Sequence, residues 1–196
     1  MRRIVLIDGE NLNYGLRYLL GSNGKPAERL VLSGFNYRGL LEEVLADNIP
    51  SEILWFGARL RIYDQTEEVK LKSESAVHLQ SYFVNEIQKQ RITFVKIGYL
   101  RAREIELSDG TTEWKLVEKG VDVGLAVRIV AEADQNTEVV VISADTDLLP
   151  AFKQARKQGA RLVHLGYEHR PIASLSNASH ATRIITIPLA QKYRCL

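Results

Sequence analysis

Short apolar runs of strand length alternate along the chain with longer segments in which apolar residues recur every three or four positions. This is the pattern of βαβ units around a parallel sheet. The runs predict strands near 3–7, 52–59, 92–97, 138–142 and 161–165, with a final one near 183–187. Helical spacing recurs at 36–47, where Leu40, Leu41, Val44 and Leu45 share a face and Asn48-Ile49-Pro50 ends the segment. It recurs again at 66–90, with Ser73-Glu74-Ser75 as the place where that helix would break. The clearest helical run is 121–133, with Val121, Leu125, Ile129 and Val130 toward the sheet, and another covers 147–158 and stops at Gly159. Gly21 to Pro26 is a breaker cluster and reads as an exposed loop. Asp109-Gly110 sits between two extended runs, so 99–117 predicts a β-hairpin. The fold class is α/β, a mostly parallel sheet flanked by helices, in one domain over 1–190 with a short tail at 191–196.

Composition narrows the class without deciding it. With 45% hydrophobic and 26% charged positions in 196 residues, the chain suits one compact domain. The 26 basic residues against 24 acidic ones leave a net charge of +2, so a basic surface has to be local. A single cysteine, Cys195, excludes an intramolecular disulfide framework and a multi-cysteine zinc site. The first apolar run is too short for a signal-peptide core or a membrane span, so a soluble, cytoplasmic protein without a membrane partner is expected. Assembly of identical copies is left open.

Chemistry enters where two of the apolar runs end. Ile4 to Ile7 leads into Asp8-Gly9-Glu10-Asn11, and Val139 to Ile142 leads into Ser143-Ala144-Asp145-Thr146-Asp147. Each carboxylate taken singly is also explained as a helix cap. Two acids separated by one position exceed what a cap requires, and like charges so close destabilise a fold unless a cation or water relieves them. Asp122, in the first turn of the 121–133 helix behind Lys119-Gly120, is the third element, again either a helix-dipole partner or a ligand. Ligands in open parallel sheets bind outside the carboxyl ends of the strands. If the two strands are neighbours, Asp8, Asp122, Asp145 and Asp147 converge on a pocket suited to Mg²⁺ or Mn²⁺. Hydrolysis of a phosphodiester by metal-activated water is the implied chemistry. Asp8 and Asp145 are the first ligands and Asp122 and Asp147 act directly or through water. Asn11 and Ser143 orient, and Lys119 brings a cation for phosphate.

Ile-Asp-Gly-Glu-Asn-Leu at 7–12, Lys-Gly-Val-Asp-Val at 119–123 and Ser-Ala-Asp-Thr-Asp-Leu at 143–148 resemble, in order and spacing, the three motifs of the LabA-like branch of the NYN domain family of PIN-like nucleases. The resemblance implies a Rossmann-like PIN fold and a metal-dependent ribonuclease, expected to cut RNA internally, with the acidic site on Asp8, Asp122, Asp145 and Asp147. There are two departures. Arg128 stands where the family commonly has another aspartate, and Ser179 or His180 stands where a later one is usual. These departures motivate the alternative of a nuclease-weak RNA-binding or scaffold protein that uses the same crevice.

Single-stranded RNA is the expected partner. Lys89, Arg91, Lys96, Arg101 and Arg103 fall between 87 and 103 with no acid among them, and Tyr99 and Trp114 offer stackable rings. Composition alone also allows these cations to be a solvated face. Arg128 is a further candidate RNA contact, as are His169 and Arg170 beyond the fifth strand, on the same edge as the acids. The histidines show no metal-ligand spacing. An aspartyl-phosphate phosphotransferase is disfavoured because no second aspartate follows Asp8 by two positions. Dinucleotide binding lacks its glycine motif.

Overall fold

A computed structural model describes residues 1–46, 50 and 52–194. The helix stop expected at Asn48-Ile49 and the lone Cys195 lie outside the described residues. Within them the chain runs β1 (Arg2–Asp8), α1 (Gly9–Leu19), α2 (Tyr37–Leu45), β2 (Glu52–Arg59), α3 (Glu67–Lys89), β3 (Thr93–Glu106), β4 (Thr112–Lys119), α4 (Val121–Ala131), β5 (Thr137–Ile142), α5 (Leu149–Lys157), β6 (Arg161–Tyr167), α6 (Ala173–Ala178), β7 (Ala181–Ile185) and α7 (Ile187–Lys192). Single 3₁₀ turns at Arg29–Leu32 and Thr146–Leu148 precede α2 and α5. The sheet order is β4-β3-β2-β1-β5-β6-β7, parallel except for the antiparallel β3–β4 ribbon. The fold is therefore the expected α/β architecture with its added hairpin.

Alternation along the strands divides the core into two layers. Val5, Ile7, Trp55, Val140 and Ile142 face α1 and α2, while Ile4, Leu6, Phe56, Val139 and Val141 face α4 and α5. All six residues of β5 are buried, as a strand covered on both faces must be. Connections from β1 lead to β2 on one side, and later strands add on the other. This makes the β1–β5 junction the topological switch point, where a crevice opens at the carboxyl edge. The opposite edge is closed by Glu138, which bonds Arg3 and, at 2.8 Å, Arg161.

Several elements differ from the pattern reading. α3 does not break at Ser73, because this buried serine accepts from the Tyr63 amide at 3.0 Å and so pins the incoming loop. α1, α6 and α7 are helices that the periodicity left unassigned. The last strand lies at 181–185, slightly earlier than expected, since Ile187-Pro188 opens α7. Past residue 190 the chain stays packed as far as Tyr193, whose ring borders the core.

Candidate active site at the carboxyl edge of the sheet

Asp8 ends β1 and caps α1. Its Oδ1 accepts from the Asn11 amide at 3.2 Å and its Oδ2 accepts from the Ser143 hydroxyl at 2.8 Å. Ser143 is fully buried at the end of β5, and its Oγ also accepts from the Asp145 amide at 3.1 Å. One hydroxyl thus ties the two acidic motifs together across the β1–β5 junction, whose register places Ile7 opposite Ile142. Asn11 reinforces the tie: its Oδ1 accepts from the Ala144 amide at 2.9 Å and from the Tyr167 hydroxyl at 3.2 Å. Tyr167 comes this close because residue 15 is glycine; a Cβ there would lie 2.4 Å from the tyrosine ring. His164 completes the frame, its Nε2 2.9 Å from the Ser143 carbonyl oxygen. A carbonyl oxygen only accepts, so Nε2 carries the proton and donates this bond, while burial holds His164 below the usual histidine range.

Burial also pushes Asp8 above the usual carboxylate range, against the lowering by the Ser143 and Asn11 hydrogen bonds, and the charges of Asp145 and Glu10 add to the rise. Across the crevice Glu118, at the end of β4, is pushed up to about 7 by burial and then by Glu10, Asp8 and Asp122. Asp122 reaches this group because Gly120 takes a left-handed turn (φ 83°) between β4 and α4, which sets Asp122 in the first helical turn. Asp145 caps the 3₁₀ turn after β5 and accepts from the Asp147 amide at 2.9 Å. Asp147 itself is exposed.

Asp8, Asp122 and Asp145 therefore belong to one field of negative charge, joined by Glu10 and Glu118. Glu10 belongs to the first motif and Glu118 precedes the second, but only the topology brings them together. Arg29 at the rim pairs with Glu10 at 3.0 Å. Among the described residues no group of three or more His, Cys, Asp or Glu side chains stands ready to hold a metal ion. The expected four-carboxylate pocket is thus looser than a closed cage. A set of oxygen donors with unrelieved repulsion does fit Mg²⁺, which keeps several waters and takes one or two carboxylates plus substrate phosphate.

The remaining candidates separate by position. Lys119 ends β4 beside Glu118, exposed at the same edge. His169 is stacked on Tyr18, with ring centroids 4.2 Å apart, and next to Tyr167 at 5.7 Å, so its ring is a packing element; Arg170 beside it is exposed. Arg128 is not brought to the crevice. It lies two turns down α4, about 9 Å from Asp122 along the axis, where it pairs with Glu132 at 2.5 Å, the same carboxylate that meets Arg2 at the amino end of β1. Ser179 and His180 also lie at the amino edge: the His180 amide donates to the Leu162 carbonyl and its Nδ1 accepts from the Leu162 amide at 3.0 Å.

A model of the NYN domain matches residues 2–187. The chain belongs to the NYN domain family. This places it among PIN-like nuclease domains. No curated protein matches the chain. Among solved structures, a protein of unknown function from Vibrio parahaemolyticus is similar, with a TM-score of 0.57 at 14% identity over 94% of this chain and 92% of that one. At that identity the likeness concerns the fold alone. No helix among the described residues of this NYN domain is long and apolar enough to cross a membrane.

Proposed function

We propose that this NYN domain, of the LabA-like type, is a metal-dependent ribonuclease that hydrolyses phosphodiester bonds in RNA at the carboxyl edge of its sheet. The observation that carries this reading is the convergence of Asp8, Asp145, Asp122 and Glu118 from three separate chain segments on one crevice, where burial first, and their mutual repulsion after it, raise the Asp8 and Glu118 carboxyls. Asp8, Asp122 and Asp145, with Asp147 through water, are the side chains that would hold Mg²⁺ or Mn²⁺; when bound, the cation supplies charge neutralisation for the phosphate and a coordinated water of lowered pKa.

The chain's own part is positioning. Ser143 and the Asn11 amide fix the Asp8 carboxylate in one orientation, and the Asn11 side chain holds the start of the β5 exit loop. Glu118, with a carboxyl that titrates near neutrality, is suited to accept a proton at its Oε from a water or to return one to a leaving oxygen. Lys119 borders the crevice as a cation for phosphate, and Arg170, exposed beside His169 after β6, is the second candidate cation. Support against a binding-only protein comes from where the departures lie. Arg128, Ser179 and His180 are at the opposite edge from the acids, so they remove nothing from the crevice.

Purified protein incubated with labelled single-stranded RNA and DNA in Mn²⁺, Mg²⁺ or EDTA tests the reading. RNA is expected to be cut with metal and not in EDTA, and an Asp8→Asn/Asp145→Asn variant is expected to lose at least about a hundredfold in rate. Undiminished cutting by the variant would remove the site assignment.

A further inference from the structure

The β3–β4 ribbon sorts its charges by face. Residues directly opposite in an antiparallel pair share a face, and alternate residues along each strand return to it. The register pairs Tyr99 with Lys119, Arg101 with Val117 and Arg103 with Lys115, so one face carries Tyr99, Lys119, Arg101, Arg103 and Lys115. The other face pairs Leu100 with Glu118, Glu104 with Trp114 and Glu106 with Thr112, and it bears three glutamates and no cation. On the basic face the acid is Glu113, which bonds Lys115 at 3.4 Å and Lys72 at 3.8 Å. Among the described residues no acid pairs with Arg101, Arg103 or Lys119.

This ribbon also projects. β2 ends at Arg59, level with Tyr99, so the residues of β3 beyond Tyr99 extend past the carboxyl edge of the sheet. Arg59, Tyr99 and Lys119 form a row across three strands at the base, all exposed, with Tyr99 48% accessible. Arg101 follows about 7 Å further out and Arg103 with Lys115 about 7 Å beyond that. The row ends at Lys119, which adjoins Glu118 along the chain but faces the other side of the ribbon, one residue before the turn into α4 that carries Asp122. Lys89 and Arg91, by contrast, lie before β3 at the other edge, and Lys89 is paired with Glu86, so the basic stretch noted in the sequence is split.

We propose that the basic face of this ribbon is the track along which single-stranded RNA reaches the acidic crevice. This rests on the nuclease reading and names the substrate's path. A line of cations one ribbon wide suits one phosphate backbone, Tyr99 offers a ring for a base to stack on, and Glu104 and Glu106 on the reverse face of the outer ribbon disfavour the strand there. Lys119 is the last cation before the acids and delivers the phosphate to them.

Fluorescence anisotropy with a labelled oligouridylate RNA in EDTA, over a series of salt concentrations, tests the track without any cutting. Arg101→Ala/Arg103→Ala is expected to bind about tenfold more weakly and to lower the slope of log affinity against log salt by about 1.4, since each single-strand phosphate contact contributes about 0.7. Glu104→Gln/Glu106→Gln on the reverse face is expected to bind at least as tightly as the unaltered protein. Unchanged affinity and slope in the arginine variant, or tighter binding of the unaltered protein to a duplex than to the single strand, would overturn the track. Cutting in Mn²⁺ separates this from the nuclease reading. Cutting by the unaltered protein with unaffected RNA binding in the arginine variant leaves the nuclease and removes the track; weakened binding in that variant with no cutting by the unaltered protein does the reverse.

Discussion

Asp8 has two roles that ordinarily compete. As the N-cap of α1 it satisfies the Asn11 amide, and as the centre of the acidic crevice it carries a charge that burial and its neighbours disfavour. Ser143 reconciles them by donating to the second carboxylate oxygen. Glu118 has no such compensation, and this gives a pH-dependent consequence. Its folded value of about 7 lies above the ordinary glutamate value of 4.5, so the folded state holds the proton more tightly. Stability is therefore lost as pH rises through that interval, and the full cost is present above it. Glu118→Gln is expected to stabilise the protein at pH 8 by about 1 kcal/mol, solvent at this exposed side chain screening most of the shift, and to leave stability unchanged at pH 4. Thermal melts of both proteins in metal-free buffer check this, and a destabilised variant at pH 8 would mean the carboxylate makes a favourable contact instead.

At the scale of elements, the site depends on how closely α1 lies against β6. Gly15 allows the Tyr167 ring to sit against the helix, and that contact carries the Tyr167 hydroxyl to Asn11. Gly15→Ala is expected to cost about 2 kcal/mol of stability by forcing the ring away, since overpacked cores do not simply expand. The loss is read as a lowered denaturant midpoint, and an unshifted midpoint would show that the ring relocates freely. The same helix marks where sequence reading falls short. The strand runs, α4 and α5 were legible because period and burial agree: Val121, Leu125 and Ile129 are all buried. α1 has the matching spacing in Leu12, Leu16 and Leu19, but its glycines and asparagines weaken the local signal. α6 and α7 are six residues each, too short for a period to register. Of the site, Asp8, Asp122 and Asp145 were visible as motif residues. Glu10 lay in the same motif without a role assigned to it, and Glu118 and the relocation of Arg128 were not visible, because they depend on which end of an element faces the crevice.

For the molecule as a whole, the two edges of the sheet have different work. The carboxyl edge gathers Asp8, Asp145, Asp122 and Glu118 beneath the projecting ribbon, while the amino edge is held by Glu138 with Arg3 and Arg161 and by Glu132 with Arg2 and Arg128. Sequence departures from the NYN pattern fall on the second edge. A protein with these departures is thus expected to keep its chemistry, and the decisive comparison is between edges. Single-turnover cleavage of labelled single-stranded RNA in Mn²⁺ should be measured for Asp145→Asn and for Arg128→Ala, each shown folded by its thermal melt. The account predicts a loss of at least about a hundredfold for Asp145→Asn and a rate within about twofold of the unaltered protein for Arg128→Ala, a surface change far from the chemistry. Equal losses in both variants, or a loss confined to Arg128→Ala, would contradict it.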